Sequence, residues 1–162
     1  TAGKGLSGGI GSLGAVLASA EVAAEYFAGT TPTSAGNAVS AAAGVALFDT
    51  LIDEKLIENC AAMGRYFTDA VAALDDAWVG DIRFKGLLGG VELVSDRASK
   101  TVLPKAQVVG VADALHQDGM LITVSGLHGN VLRLQPPLSI KSSQIDSFID
   151  SLKRALPAVR GS

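Results

Sequence analysis

A chain of 162 residues is long enough for one domain with a hydrophobic core, or for parts of two. Its 13 Lys and Arg against 16 Asp and Glu give a net charge of −3 without any basic run, which argues against nucleic acid or an anionic membrane as a partner. Apolar residues make up 48% and aromatic residues 5%, a composition typical of a tightly packed α/β enzyme.

The chain also lacks signals for export. No apolar run reaches the roughly 20 residues that a membrane-spanning helix needs, and the first residues do not resemble a secretory signal. The one cysteine, Cys60, cannot form an intrachain disulfide, and we expect a buried thiol on the apolar side of a helix. We therefore expect a cytoplasmic protein. Because the chain begins at Thr1 and ends in RGS, we also expect a fragment.

The first predicted elements are a glycine-rich turn and a strand. Lys4 leads the sequence KGLSGG at residues 4–9, and the apolar residues 13–17 predict the strand. A lysine amine attacks an aldehyde only in its neutral form, and glycine allows the backbone to approach a cofactor closely. Lys4 is therefore the best candidate for a reactive residue. The alternative is a solvated lysine beside a loop.

Two short patterns in this region match well-known motifs by coincidence. Residues 9–14 fit GxGxxG, but that fingerprint follows a strand and opens a helix, and no acidic residue lies about 20 positions further on. Residues 5–9 fit GxSxG, with Asp113 and His116 or His128 as later triad members, but a nucleophile elbow needs a strand before it. Neither histidine has metal-ligand spacing with another His, Cys or acidic residue, so we expect no metal.

Two helices follow, separated by a loop. Ser19 is a candidate N-cap for a short helix over residues 21–27. Asn37 is the candidate N-cap of a second helix over residues 38–51. This helix is apolar on nearly every side, so we expect it to be buried. Residues 29–36 between them predict a loop whose hydroxyls are either ordinary turn residues or part of a phosphate site beside the helix N-terminus. These hydroxyls belong to Thr30, Thr31, Thr33 and Ser34.

The rest of the chain predicts a small α+β unit, a short sheet with helices on one face. The composition changes at residues 53–55, which marks a possible boundary. The predicted strands span residues 87–94, 121–124 and 131–134, and the predicted helices span residues 56–74, 104–115 and 143–156.

Arg133 is the candidate binding residue of this second part. On an alternating strand it shares a face with Val131 and Gln135, opposite the flanking leucines. It either faces solvent or, if it faces a cleft, holds a substrate carboxylate with its planar guanidinium.

Four motifs in this order resemble the C-terminal half of class III aminotransferases, which are fold-type I enzymes dependent on pyridoxal phosphate. They are KGLSGG with LGAV (residues 4–9 and 13–16), TPTSAGN (31–37), GLLGGVEL (86–93) and LRLQPPL (132–138). Residues 80–97 also resemble the dialkylglycine decarboxylase branch. The resemblance implies an α/β fold in which residues 1–52 end the large cofactor-binding domain, and residues 53–162 form a connecting helix and the small C-terminal α+β domain.

The resemblance also implies roles for individual residues. Lys4 matches the lysine that forms a Schiff base with pyridoxal phosphate and moves the proton at the substrate α-carbon. Thr33 matches the threonine that binds the cofactor phosphate of the neighbouring subunit, which implies a homodimer with shared active sites. Arg133 matches the arginine that binds the substrate carboxylate. Gly36 and Asn37 match the Gly-Asn pair that opens the next helix.

The implied reaction moves an amino group between an amine or amino acid and a 2-keto acid, with the cofactor as electron sink. Decarboxylation-dependent transamination and racemisation are alternatives because the same lysine serves them, and an inert structural fragment is the non-catalytic alternative. Ser12 and Ala38 stand where many members have proline. The family's pyridine-binding aspartate, ring-stacking residue and phosphate turn precede the lysine, so we expect this chain alone to turn over little.

Overall fold

The computed structural model describes residues 2–25, 33 and 35–161. It divides into two compact units, Thr1–Leu56 and Ile57–Ser162. The assignment of residues 1–52 and 53–162 to two domains of a larger protein stays a prediction. Within the described part of the chain, no helix is long and apolar enough to cross a membrane, and no group of three or more His, Cys, Asp or Glu side chains is placed to hold a metal ion.

The first unit contains a 3-10 helix and two α-helices. These are the 3-10 helix Lys4–Ser7, α1 (Ala20–Ala24) and α2 (Ala38–Asp53). Both predicted N-caps are present: the Ser19 hydroxyl accepts a hydrogen bond from the Val22 N–H, and the Asn37 side chain accepts one from the Ser40 N–H at 3.0 Å. Residues 26 and 27 of the first predicted helix, and most of the predicted loop after it, lie outside the described residues.

The predicted strand at residues 13–17 is wrong. This segment forms a single antiparallel bridge, in which Ala2 and Ala15 exchange backbone hydrogen bonds of 2.7 and 2.9 Å. A strand needs a neighbour along its whole length, and the described residues supply one only at Ala2. The apolar side chains of Val16 and Leu17 are consequently exposed.

The predicted burial of α2 is also wrong. Phe48 is 52% exposed and Ile52 is 70% exposed, while the buried residues of this helix are Ser40 and Gly44. The buried stripe is the one with small residues because it packs against the turn after Lys4: a Cβ at Gly44 would lie 2.6 Å from the Leu13 side chain. The first unit offers no described element to cover the remaining apolar surface of the helix.

The second unit is an antiparallel sheet with three helices. Its strands follow the order β1-β2-β5-β4, and β3 pairs with β2 off this path. The elements are α3 (Leu56–Ala72), β1 (Val79–Lys85), β2 (Leu88–Asp96), β3 (Thr101–Val102), α4 (Lys105–Gln117), β4 (Thr123–Ser125), β5 (Val131–Leu134) and α5 (Ser142–Arg160). The sequence prediction located all three helices and three of these strands but missed β1 and β3.

The core of the second unit lies between the sheet and the helices. Leu132 and Leu134 of β5 are buried there with residues from α3, α4 and α5, and the Phe67 ring of α3 stacks on Phe84 of β1 at 5.0 Å. Arg133, between the two leucines, is exposed on the other face, as the alternation predicted. Cys60 is half-buried rather than buried, and its Sγ accepts the Leu87 N–H at 3.3 Å.

Candidate functional site

Lys4 lies at the start of the 3-10 helix with an unusual backbone. Its φ of 55° is in the left-handed region, directly after the extended Gly3. Among the residues that the structure describes, its exposed amine has no hydrogen-bond or ion-pair partner. Left-handed backbone at a non-glycine residue costs on the order of 1–3 kcal/mol and persists only where its surroundings hold it.

The turn that follows Lys4 is held by one buried hydroxyl. Ser7 is 1% exposed, its Oγ donates to the Gly11 carbonyl oxygen, and the same Oγ accepts the Gly11 N–H at 3.3 Å. The glycines beside Lys4 have open space around them: a Cβ at Gly3 or Gly5 would meet no atom within 4 Å. A planar group therefore has room to reach the backbone next to the lysine.

The segment from Thr33 to α2 is the second candidate element. Thr33 is an exposed turn residue, and residues 32 and 34 lie outside the described part of the chain. Gly36 has a φ of 72°, which favours glycine, and Asn37 caps the helix. The Gly-Asn pair thus has a visible structural role: it turns the chain and satisfies a free N–H at the start of α2.

Arg133 belongs to the second unit and lies in a strand that is paired on both edges. Its partner in β2 is Gly90, and its partner in β4 is Thr123. Its guanidinium Nη2 donates to the Gln135 Oε1 at 2.7 Å. None of the ion pairs found among the described residues involves Arg133. Its positive charge is therefore available to an incoming anion.

The sequence placed Gln135 beside Arg133 without assigning it a role, and it missed Gly90 as a neighbour. The strand alternation placed Gln135 on the same face, so its position two residues after Arg133 was a usable signal. Gly90 had no such signal, because its place beside Arg133 depends on the β2–β5 register. A Cβ at Gly90 would lie 2.8 Å from the Val131 side chain, so a larger residue at this position would force that side chain to move.

Comparison with known proteins points to one family. The sequence model described as aminotransferase class-III matches residues 1–156. The chain is 36% identical over 159 residues to the mitochondrial alanine–glyoxylate aminotransferase 2 homolog 2 of Arabidopsis thaliana, covering 94% of this chain and 32% of that protein. It is 34% identical to the ornithine aminotransferase of Staphylococcus carnosus, covering 94% of this chain and 35% of that protein.

A solved structure agrees with these sequence matches. The (S)-enantioselective omega-transaminase from Thermomicrobium roseum superposes with a TM-score of 0.86 at 30% identity, covering 97% of this chain and 36% of that one. The chain therefore spans about a third of the length of the relatives that it matches.

Proposed function

Because this chain belongs to the class III aminotransferases and has the fold of the C-terminal part of these fold-type I transaminases, we propose that it forms part of an enzyme that catalyses pyridoxal-phosphate-dependent transamination. The amino group would pass between an amine or amino acid and a 2-keto acid. Class III aminotransferases depend on this cofactor, and the protein's task is to bind and orient it and to move protons.

The observation that carries the proposal is the position of Lys4. Lys55, Lys100 and Asp75 also have positive φ, but Lys55 and Asp75 follow the ends of helices, where such a backbone is ordinary. Lys4 instead starts a turn, with glycines on both sides and an amine without a described partner. Strain at an exposed residue that makes no stabilising contact supports a role in function.

The residues present fit the cofactor's chemistry. The Lys4 amine suits an aldehyde carbon, the Thr33 hydroxyl suits a phosphate, and the Arg133 guanidinium suits a substrate carboxylate. When bound, the pyridine ring supplies an electron sink for the bond broken at the substrate α-carbon. Lys4 Nζ would hold the cofactor at rest and would then move the proton between the substrate α-carbon and the cofactor.

Thr33 extends the proposal to a homodimer. We assign its hydroxyl to the cofactor phosphate of a neighbouring subunit, so each active site would need two chains. Support comes from its place near the start of α2, whose first N–H groups favour an anion. The exposed apolar side chains of α2, which include Val45 and Phe48, are also suited to a protein interface.

The test is covalent labelling of the chain. We would incubate it with pyridoxal phosphate, reduce with borohydride and map the modified lysines by mass spectrometry. We expect the adduct on Lys4 in clear excess over Lys55, an exposed lysine with a similar φ of 51° that serves as the internal control. The Lys4→Arg variant should lose the adduct. Equal labelling of the two lysines, or none, would contradict the proposal.

A further inference from the structure

Two arginines share one row of the exposed sheet face. Arg83 of β1 pairs with Gly90 of β2, and Gly90 pairs with Arg133 of β5. Cross-strand partners point to the same side of a sheet, and two strand spacings place the arginine backbones about 10 Å apart. Gly90 itself has no side chain, and the Val131 side chain of β5 lies over it, 2.8 Å from where a Cβ would be.

The two guanidinium groups have chemically different partners. Arg83 forms ion pairs with Asp81 at 2.5 Å and with Glu92 at 3.3 Å, so carboxylates of the protein already neutralise it. Arg133 donates instead to the neutral amide oxygen of Gln135. A guanidinium has five N–H donors, and this single bond leaves both the charge and most of the donors of Arg133 free.

We propose that Gln135 is a positioning residue, which orients the Arg133 guanidinium for a carboxylate ligand without cancelling its charge. This inference rests on the proposed function, which supplies the ligand. A fixed side chain loses less conformational entropy on binding than a free one. A carboxylate at position 135 would also fix the guanidinium, but it would compete with the ligand.

The backbone of Gln135 is itself well held. Pro136 follows it directly, and proline restricts the preceding residue to extended conformations. Beyond the two prolines, the Asn59 side chain of α3 donates to the carbonyl oxygens of Leu138 and Ile140. The Gln135 amide therefore extends from a defined backbone.

There is also room for the rest of a ligand. A groove of about 540 Å³ lies beside Gln135 within the second unit. Its lining includes Lys85, Leu88, Pro136 and Leu138. Because Gln135 lines this groove and accepts the bond from Arg133, a group attached to a carboxylate on Arg133 would have space to extend past Gln135.

The experiment is nuclear magnetic resonance on the 162-residue chain, with acetate as the probe and acetamide as its uncharged control. In Gln135→Leu, we expect the Nε–H order parameter of Arg133 to fall while that of Arg83 stays constant. The dissociation constant for acetate should rise about three- to tenfold, the cost of ordering one long side chain on binding. In Gln135→Glu, the order should persist but acetate binding should be weaker still.

Two further variants distinguish a failure of the role of Gln135 from a failure of the role of Arg133. Arg83→Gln is the matched control on the same row, and it should leave acetate binding unchanged. If Arg133→Gln abolishes acetate binding but Gln135→Leu changes neither order nor affinity, the role of Gln135 is overturned and that of Arg133 stands. If Arg133→Gln itself leaves acetate binding intact, the carboxylate role of Arg133 in the proposed function is overturned, and the inference falls with it.

Discussion

The side chain of Asn59 donates a 2.6 Å hydrogen bond to the carbonyl oxygen of Leu138, 79 residues further along the chain. A second bond of 3.1 Å reaches the Ile140 carbonyl oxygen. Both N–H groups of the Asn59 side-chain amide thus bind the segment between β5 and α5 to helix α3. This contact fixes the chain just after the strand that carries Arg133.

Asn59→Ala should therefore destabilise the second unit. Two carbonyl oxygens lose their partner, which costs about 1–3 kcal/mol of the free energy of unfolding. Urea denaturation measures the loss. Glu58→Ala is the matched control, since Glu58 is exposed one residue earlier on the same helix and should change stability little. Similar losses in both variants would mean that the effect comes from the helix and not from the bonds.

Gly64→Ala should destabilise the second unit, although the change adds only one methyl group. A Cβ at Gly64 would overlap the backbone carbonyl of Gly86, which itself has a φ of 56° and has little freedom to move. We expect a loss of about 2–3 kcal/mol from the strain of overpacking.

The control for this change is Gly110→Ala in α4. There a Cβ would lie 3.4 Å from the Val159 side chain, an ordinary contact. Because alanine favours a helix over glycine, this variant should gain about 0.5–1 kcal/mol. Thermal unfolding of both variants measures the contrast, and a loss of stability at Gly110 comparable to that at Gly64 would refute the steric explanation.

Asp96 should give the stability of the second unit a defined acid dependence. Hydrogen bonds from the Ser99 hydroxyl, and from the backbone N–H groups of Ser99 and Ala98, hold the pKa of Asp96 below its ordinary value of 3.8. Because the folded-state pKa is the lower one, this contribution to stability is complete above the ordinary pKa. It is lost as the pH falls through the lowered value.

Asp96→Asn should remove this part of the acid dependence. The free energy of unfolding, measured by urea denaturation in small pH steps below pH 5, should fall less steeply than in the unchanged chain. Ser99→Ala should remove part of the same slope, because it deletes the hydroxyl that contributes most. Acid slopes that stay the same in both variants would show that other groups control the transition.

In the complete enzyme, Arg133→Ala should discriminate between substrates. A hydrogen-bonded ion pair with a carboxylate is worth about 1.5–3 kcal/mol, so KM for amino acids and 2-keto acids should rise about 10- to 100-fold. Simple amines without a carboxylate should be affected far less. Steady-state kinetics with both substrate types measures the ratio, and an equal loss for both would rule out carboxylate recognition by this residue.

Local patterns correctly predicted much of the second unit and the N-caps of the first. The alternation at Arg133, the helix start after Pro104 and the Asn37 cap each depend on a few neighbouring residues, and each is present in the structure. Strand β1 was missed although Ile82 and Phe84 alternate with Asp81, Arg83 and Lys85, the pattern typical of a half-buried strand. The expected α/β fold of a fold-type I transaminase is confirmed by the structural likeness.

The errors fall where the outcome depends on a distant partner. Among the described residues of the first unit, residues 13–17 have a strand-like sequence but pair only with Ala2, and α2 is apolar but has no element that covers it. For the site, the local sequence was sufficient to select Lys4 and Arg133 as candidates, and the resemblance to class III aminotransferases added Thr33. The bond to Gln135 depends on side-chain orientation, which the sequence does not specify.

The pairing of β5 with a strand on each side affects how readily its backbone amides exchange with solvent. Successive amide N–H groups along β5 bond alternately to β2 and β4, so the whole strand exchanges with solvent only when both ladders open, which approaches global unfolding of the second unit. Among the described residues, the turn at Lys4 is held by the Ala2–Ala15 bridge, the Ser7 hydroxyl and packing against α2, with no continuous ladder, so its amides should exchange sooner. The proposed roles would thus place carboxylate binding on a rigid strand and the reactive amine on a segment that opens more readily.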